Sequence, residues 1–263
     1  MIFQIQSLTG HGQFLVEELN ISECQFEQSK GSLGGAFHII AQKNTVINIL
    51  NSSFYNLSTT FFTNNGGAFY LDGTSSLSLI VGIIKVKVEN IFAQHNGGFL
   101  YLKSQSSQIS INIKEINLSN VYAKNGSFAY LKFSFFSKSQ IEVQINNILF
   151  NNNKKVFIDY LNQQKSLSRL EVSSLLNNRF LFYIDSAAKV ISQNFKIENL
   201  ILESAFIINN SIYKHIGFLI VQQTQHHHLS KLCHIHQIAF YNQIKLKKIL
   251  QLLCSILKSI MQE

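Results

Sequence analysis

Along most of the chain apolar and polar residues alternate with a period of two, the pattern of strands that bury one face. Val86-Lys87-Val88-Glu89-Asn90-Ile91-Phe92 shows it, and the stretches at 116–122, 145–149, 172–176 and 197–201 repeat it. Each ends on a small polar residue followed by two apolar ones. Between these stretches stands a second motif. Gly66-Gly67-Ala68-Phe69-Tyr70-Leu71 recurs as Gly97-Gly98-Phe99-Leu100-Tyr101-Leu102 and as Gly126-Ser127-Phe128-Ala129-Tyr130-Leu131, with an earlier copy at Gly34-Gly35-Ala36-Phe37. Later, degraded copies begin at Lys155, Arg179 and Glu203, so that successive first residues lie 32, 31, 29, 29, 24 and 24 apart. A period of this size is one supersecondary unit per repeat, with room for two or three short strands and none for a helix.

Gly-Gly before a strand bends the chain without supplying the Asn-Gly loop of a hairpin, so the repeats predict coils. The expected fold class is all-β, a right-handed parallel β-helix (solenoid) of about seven coils. An antiparallel sandwich of similar repeats is the competing architecture. In a stacked coil equivalent positions recur at the sheet spacing of roughly 4.8 Å. Thr60, Asn90, Asn120, Asn147, Ser174 and Asn199 are expected to form one interior column, the amides bonding to one another and so offsetting the cost of burial. Phe69, Phe99, Phe128, Phe157 and Leu181 are expected to form a second, apolar column.

The strand pattern stops after Val221, which divides the chain into β-helix repeats over 1–221 and a polar, His-rich linker with an amphipathic helix over 222–263. Leu246, Ile249, Leu250, Leu253, Ile256, Leu257 and Ile260 make the apolar stripe of that α-helix. It is expected to cap the last coil or to mediate self-association, since open sheet edges invite pairing.

Charged residues are only 14% of the chain against 46% hydrophobic. The formal charge of +8 comes from scattered lysines, with Arg169 and Arg179 the only arginines, which does not fit a nucleic-acid reader. No basic region followed by an apolar run opens the sequence, so no signal peptide is read. No apolar stretch approaches the ~18 residues of a transmembrane span.

Candidate chemistry is sparse. The three aspartates, Asp72, Asp159 and Asp185, fall in different repeats, and Glu89 and Glu198 are expected four coils apart. Acid–base or calcium-assisted cleavage needs carboxylates gathered on one face, so no catalytic residue is assigned. His11 and His95 are lone turn histidines. His226, His227, His228, Cys233, His234 and His236 are the densest group of metal-ligand types but lack the paired spacing of a zinc site, so neither metal nor cofactor is assigned. The remaining cysteines, Cys24 and Cys254, complete a set of three too uneven for a disulfide framework. Asn-x-Ser sequons at Asn20, Asn51, Asn56, Asn117, Asn125 and Asn209 lean weakly toward a cell-surface or extracellular location.

Gly-Gly-Ala-Phe at 34–37 and 66–69, with Phe62-Thr63-Asn64-Asn65 and Phe150-Asn151-Asn152-Asn153, resembles the repeat of polymorphic outer-membrane adhesins and of large surface proteins of unicellular eukaryotes. The resemblance spans residues 20–210 and, more broadly, extends to the pectin-lyase-like superfamily. It implies a β-helix serving adhesion or surface display. The functional expectation is a non-catalytic repeat protein that presents a side face, including Lys85, Lys87, Lys114, Gln144 and Lys196, to a protein or glycan. The alternatives are a degenerate carbohydrate-active β-helix and a truncated chain without independent function.

Overall fold

The computed structural model describes residues 2–3, 12–59, 65–134, 140–151, 180–187, 189–198, 204–209 and 212–222. In chain order the strands are β1 (Ile2–Phe3), β2 (Gly12–Ser22), β3 (Gln25–Glu27), β4 (Lys30–Gly31), β5 (Phe37–Leu50) and β6 (Ser53–Tyr55). There follow β7 (Ser58–Thr59), β8 (Phe69–Gly73), β9 (Ser78–Ile84), β10 (Lys87–Phe92), β11 (Leu100–Ser104) and β12 (Gln108–Tyr122). The last six are β13 (Ala129–Phe133), β14 (Ile141–Asn151), β15 (Phe180–Asp185), β16 (Lys189–Glu198), β17 (Ser204–Asn209) and β18 (Ile212–Gln222).

All pairings between these strands are parallel, and each strand pairs with its equivalent one coil away. The result is an all-β parallel solenoid, which excludes the antiparallel sandwich. Its first sheet stacks the starts of β2 and β5 on β8, β11, β13, β15 and β17. The second stacks the ends of β2 and β5 on β9 and the first halves of β12, β14, β16 and β18. The third stacks β3, β6 and β10 on the second half of β12 and the ends of β14, β16 and β18.

Seven coils were expected, and the described residues complete about four turns. β15 to β18 extend the same ladders, with corners that lie partly outside the described residues. The composition of the stack also differs from the expectation. Tyr130 pairs directly with Tyr183, so the Lys155–Tyr160 run does not supply the rung between them. Phe157 and the helix stripe from Leu246 to Ile260 fall outside the described residues.

The period-two pattern puts every second side chain into a single interior. On the second sheet Ile49, Ile83, Ile113 and Ile145 are buried one above another, and on the third Phe54, Val88, Leu118 and Phe150 are. Aromatic rings form a continuous spine through this core. Phe26 stacks on Phe54 at 4.8 Å, Phe37 on Phe69 at 5.0 Å and Phe99 on Phe128 at 5.2 Å. Edge contacts link the stacks from Phe69 to Phe99 and from Phe128 through Phe182 to Phe195.

Of the expected aromatic column, Phe99, Phe128 and Leu181 stand one above another, and Phe69 is offset from them by one residue. Backbone register places Phe69 opposite Leu100, while Ala68 bonds to Phe99. Two adjacent buried positions thus read Ala36-Phe37, Ala68-Phe69, Phe99-Leu100, Phe128-Ala129 and Leu181-Phe182 down the stack. The ring changes position between Ala68-Phe69 and Phe99-Leu100, where Leu100 stands over Phe69, and Leu181-Phe182 places a ring over Ala129.

Corners are set by left-handed residues. Gly34, Gly66, Gly97 and Gly126 have φ of 62° to 73°, a conformation that costs glycine little. Neither corner glycine has room for a side chain: a Cβ on Gly66 would sit 2.0 Å from the carbonyl oxygen of Phe69, and one on Gly67 2.0 Å from that of Gly98. Ser127 takes the position of Gly67 in the last copy, and its buried hydroxyl finds no partner among the described residues.

Two further left-handed columns bracket the third sheet. One runs Glu23, Asn51, Lys85, Glu115, Asn147 and Asn194, and the other Gln28, Asn56, Asn90 and Asn120. Asparagine tolerates this region better than most residues because its short polar side chain bonds locally. Asn120 Nδ2 donates to Asn90 Oδ1 at 3.0 Å and Asn90 Nδ2 to Asn56 Oδ1 at 3.1 Å. Asn147 belongs to the other column, where Asn194 donates to it at 3.0 Å, so the single expected column is divided between two corners. Both ladders sit at half-exposed corners and not in the interior. Thr60, Ser174 and Asn199 lie outside the described residues. A third ladder, Asn65–Asn96–Asn125, precedes the glycine corner with amide bonds of 2.9 and 2.8 Å.

Gly66→Ala and Gly67→Ala are each expected to lower the urea midpoint, because either Cβ would sit 2.0 Å from a backbone carbonyl oxygen, and Gly66→Ala is expected to lower it further, since its left-handed φ adds roughly 1–2 kcal/mol. Conversely, Lys85→Asn combined with Glu115→Asn completes the Asn51–Asn194 column and is expected to raise the thermal midpoint, since each added amide bond contributes about 0.5–1.5 kcal/mol.

Candidate functional site

Alternation along the first sheet leaves two columns of side chains outside. The inner of the two is aromatic: His38, Tyr70, Tyr101, Tyr130 and Tyr183 are successive register partners. Tyr70 and Tyr101 stack with centroids 5.0 Å apart, Tyr101 and Tyr130 at 5.5 Å, and Tyr130 and Tyr183 at 4.4 Å with planes 3° apart. His38 closes the row edge-on against Tyr70 at 5.0 Å. Parallel register forces this arrangement, because identical residues leave neighbouring strands in the same direction. The ring faces are turned toward one another, Tyr70 is buried, and Tyr101, Tyr130 and Tyr183 are half-buried. Burial pushes the Tyr101 and Tyr130 hydroxyls well above the ordinary phenol range, and neighbouring tyrosines push in the same direction.

Two residues further along each strand runs a charged column, Ile40, Asp72, Lys103, Lys132 and Asp185. Lys103 Nζ lies 2.7 Å from Asp72 Oδ2 and 5.9 Å from the centre of the Tyr70 ring. Asp72 also accepts from the backbone and hydroxyl of Thr74 at 3.1 and 2.6 Å. Partial burial opposes the Asp72 charge, but the bonds from Lys103 and Thr74 together outweigh it and hold the carboxyl below its usual range. The bond to Asp72 raises Lys103 in turn, against a smaller opposing effect of burial. Lys132 is exposed beside this pair. The face therefore combines a row of phenols with a column in which two lysines stand between two aspartates.

The side-face residues expected from sequence divide between other surfaces. Lys85, Lys87 and Lys114 gather around the corner between the second and third sheets, where the Lys85 amide bonds to the Lys114 carbonyl at 2.9 Å. Lys87 bridges to Glu89 at 3.3 Å and lies 5.1 Å from the Tyr55 ring, and Lys114 pairs with Glu115 at 3.0 Å. Gln144 is exposed on the second sheet, opposite Asn112, and Lys196 on the third, opposite Leu149. These five do not make one continuous face. The tyrosine row carried a legible signal in the repeated Tyr-Leu or Tyr-Ile after the glycine corner.

Glu89 and Glu198 share one column of the third sheet, separated by Ser119 and Asn151. Three rungs divide them, one fewer than expected, or about 14 Å at the sheet spacing. Asp72 and Asp185 are likewise three rungs apart on the first sheet, with lysines between. Among the described residues no three His, Cys, Asp or Glu side chains converge as metal ligands. His11, Asp159 and the His226–His236 group lie outside those residues. Cys24 is buried and in no disulfide, its thiol donating to the Ser22 carbonyl at 3.2 Å. Of the sequons, Asn51 and Asn117 are exposed, whereas Asn125 is held in its ladder with Ser127 fully buried. No helix among the described residues is long and apolar enough to cross a membrane.

The Asp72–Lys103 pair predicts a pH-dependent effect. Asp72 is depressed in the folded state, so its contribution is complete above the unfolded value of about 3.9 and is lost as pH falls through the lower folded value. Lys103 is raised, so its contribution is complete below about 10.4 and is lost at more alkaline pH. Asp72→Asn is expected to cost at most ~1 kcal/mol at neutral pH, because the pair is partly exposed. Thermal melts of the two proteins should converge in acid.

No protein-family model, curated protein or solved structure matches this chain.

Proposed function

We propose that this chain is a non-catalytic, right-handed β-helical display protein that binds a protein or glycan along a side face. The observation that carries the reading is the outer surface of the first sheet. Tyr70, Tyr101, Tyr130 and Tyr183 stand in a straight row beside Asp72, Lys103, Lys132 and Asp185, all held on paired strands. Side chains mounted on a sheet lose little further freedom on binding, which favours an extended ligand laid along the row. Phenol edges and lysines offer hydrogen bonds and charge at every rung, and tyrosine brings large area with few rotatable bonds.

The wide separation of Glu89 from Glu198 and of Asp72 from Asp185 supports a binding role over hydrolysis, because paired acid–base work needs carboxyls within about 5–9.5 Å. The Gly-Gly-Ala-Phe motifs, with their likeness to adhesin repeats, support surface display at the cell exterior.

Glycan arrays and pull-downs with the folded chain test the proposal. A ligand retained by the native face and weakened about tenfold or more, roughly 1.4 kcal/mol, by Lys103→Glu with Lys132→Glu is the expected outcome. Equal retention by the charge-reversed face counts against it. Turnover of uronate or neutral polysaccharides, with or without calcium, would instead favour a carbohydrate-active β-helix.

A further inference from the structure

The tyrosine row is graded, and its tightest pair is unlike the rest. Tyr130 and Tyr183 are direct backbone partners on β13 and β15, so their rings project from adjoining strands in one direction. Their centroids are 4.4 Å apart with planes 3° from parallel, against 5.0 Å and 20° for Tyr70–Tyr101 and 5.5 Å and 11° for Tyr101–Tyr130. The neighbouring Tyr183 phenol adds to the burial that raises the Tyr130 hydroxyl above the ordinary phenol range. Both side chains are half-buried, which keeps ring edges within reach of small solutes while the sheet fixes the ring planes.

We propose that Tyr130 and Tyr183 form an oxidative cross-linking site, at which one-electron oxidation of the tyrosine row ends in a carbon–carbon bond joining the two rings. The co-reactant is a one-electron oxidant. Each phenol gives one electron to it and releases the hydroxyl proton to water. The unpaired electron of each phenoxyl radical is shared with the carbon ortho to oxygen, and two register-paired, near-parallel rings with centroids 4.4 Å apart bring those carbons within reach of each other. Their coupling forms one C–C bond. Each ring then returns its ortho hydrogen to its oxygen and regains aromaticity. Two electrons and two protons leave in all, and both phenols are regenerated.

The row above the pair serves as its antenna. Rings separated by 5.0 and 5.5 Å are close enough for an electron to pass between neighbours, so a radical first formed on Tyr70 or Tyr101 migrates toward Tyr130. It stops where the partner is nearest and coupling is fastest. The bond would join coils whose tyrosines are 53 residues apart in sequence, from 130 to 183. Closing so long a loop restricts the unfolded chain, as a disulfide does.

The experiment illuminates the full-length chain with ruthenium tris-bipyridyl, using persulfate as the terminal electron acceptor, and isolates the monomer. Dityrosine fluorescence, a mass lower by two hydrogens and a cross-linked peptide pair containing residues 130 and 183 are expected. The linked monomer should show a higher thermal midpoint than the untreated chain. Tyr183→Phe and, separately, Tyr130→Phe keep the stacked ring and remove the phenol, so either should abolish this peptide pair, whereas Tyr70→Phe should leave it in place. The proposal is overturned if the folded monomer yields no 130–183 link. It is equally overturned if urea-unfolded chain gives the link in the same yield, or if Tyr183→Phe leaves the monomer's fluorescence unchanged.

Discussion

Everything in this molecule follows from backbone hydrogen bonds that run along the solenoid and hold each residue over its equivalent one coil away. In a sheet of parallel strands those bonds fix the register at every rung, and the side-chain period of two then decides inside from outside. A one-residue slip would turn Ile49, Ile83 and Ile113 out to water and bring Asn48 and Asn112 into the core. The same constraint stacks like on like: isoleucines in the core, amides at the corners and tyrosines on the outer face. A substitution is therefore felt by the coils on either side, because each rung supplies the floor of one neighbour and the ceiling of the next.

The corners carry the cost of this regularity. A coil turns sharply several times, and each turn demands a backbone that most residues resist. Glycine solves one corner twice over, with Gly66 and its equivalents supplying the left-handed φ and Gly67 and its equivalents the missing Cβ. Asparagine solves the two corners that bracket the third sheet, and its amide bonds turn a local compromise into a link between coils. Where Lys85 and Glu115 occupy the same conformation, that link is interrupted.

The parallel stack itself was legible because the glycine motif and the alternating stretches recur with a period too short for anything but strands. The finer alignment was not. A polar residue before two apolar ones precedes each end of the third sheet, so Asn147 looked equivalent to Asn120 although it occupies the other corner. The aromatic column was misread for a related reason. Phe69 and Phe99 touch in space, but the ring has moved one position between coils, and only backbone register separates contact from equivalence. Lys155–Tyr160 and Arg179–Ile184 both match the repeat in hydrophobicity and both lack its glycine, and only backbone register shows that Tyr130 pairs with Tyr183. The tyrosine row was present in the repeat motif, but which face it occupies depends on the strand phase that the register supplies.

The shifting phenylalanine has a consequence for how such a chain can change over generations. Where successive coils keep the ring in one position, as Phe37 and Phe69 do and as Phe99 and Phe128 do, equivalent rings stack. Between Ala68-Phe69 and Phe99-Leu100 the ring changes position, so Phe99 stands over Ala68 and Leu100 over Phe69. A turn duplicated by recombination therefore fits beside its own kind, whereas one carried across that step meets a different partner and requires compensating substitutions in the turns that flank it.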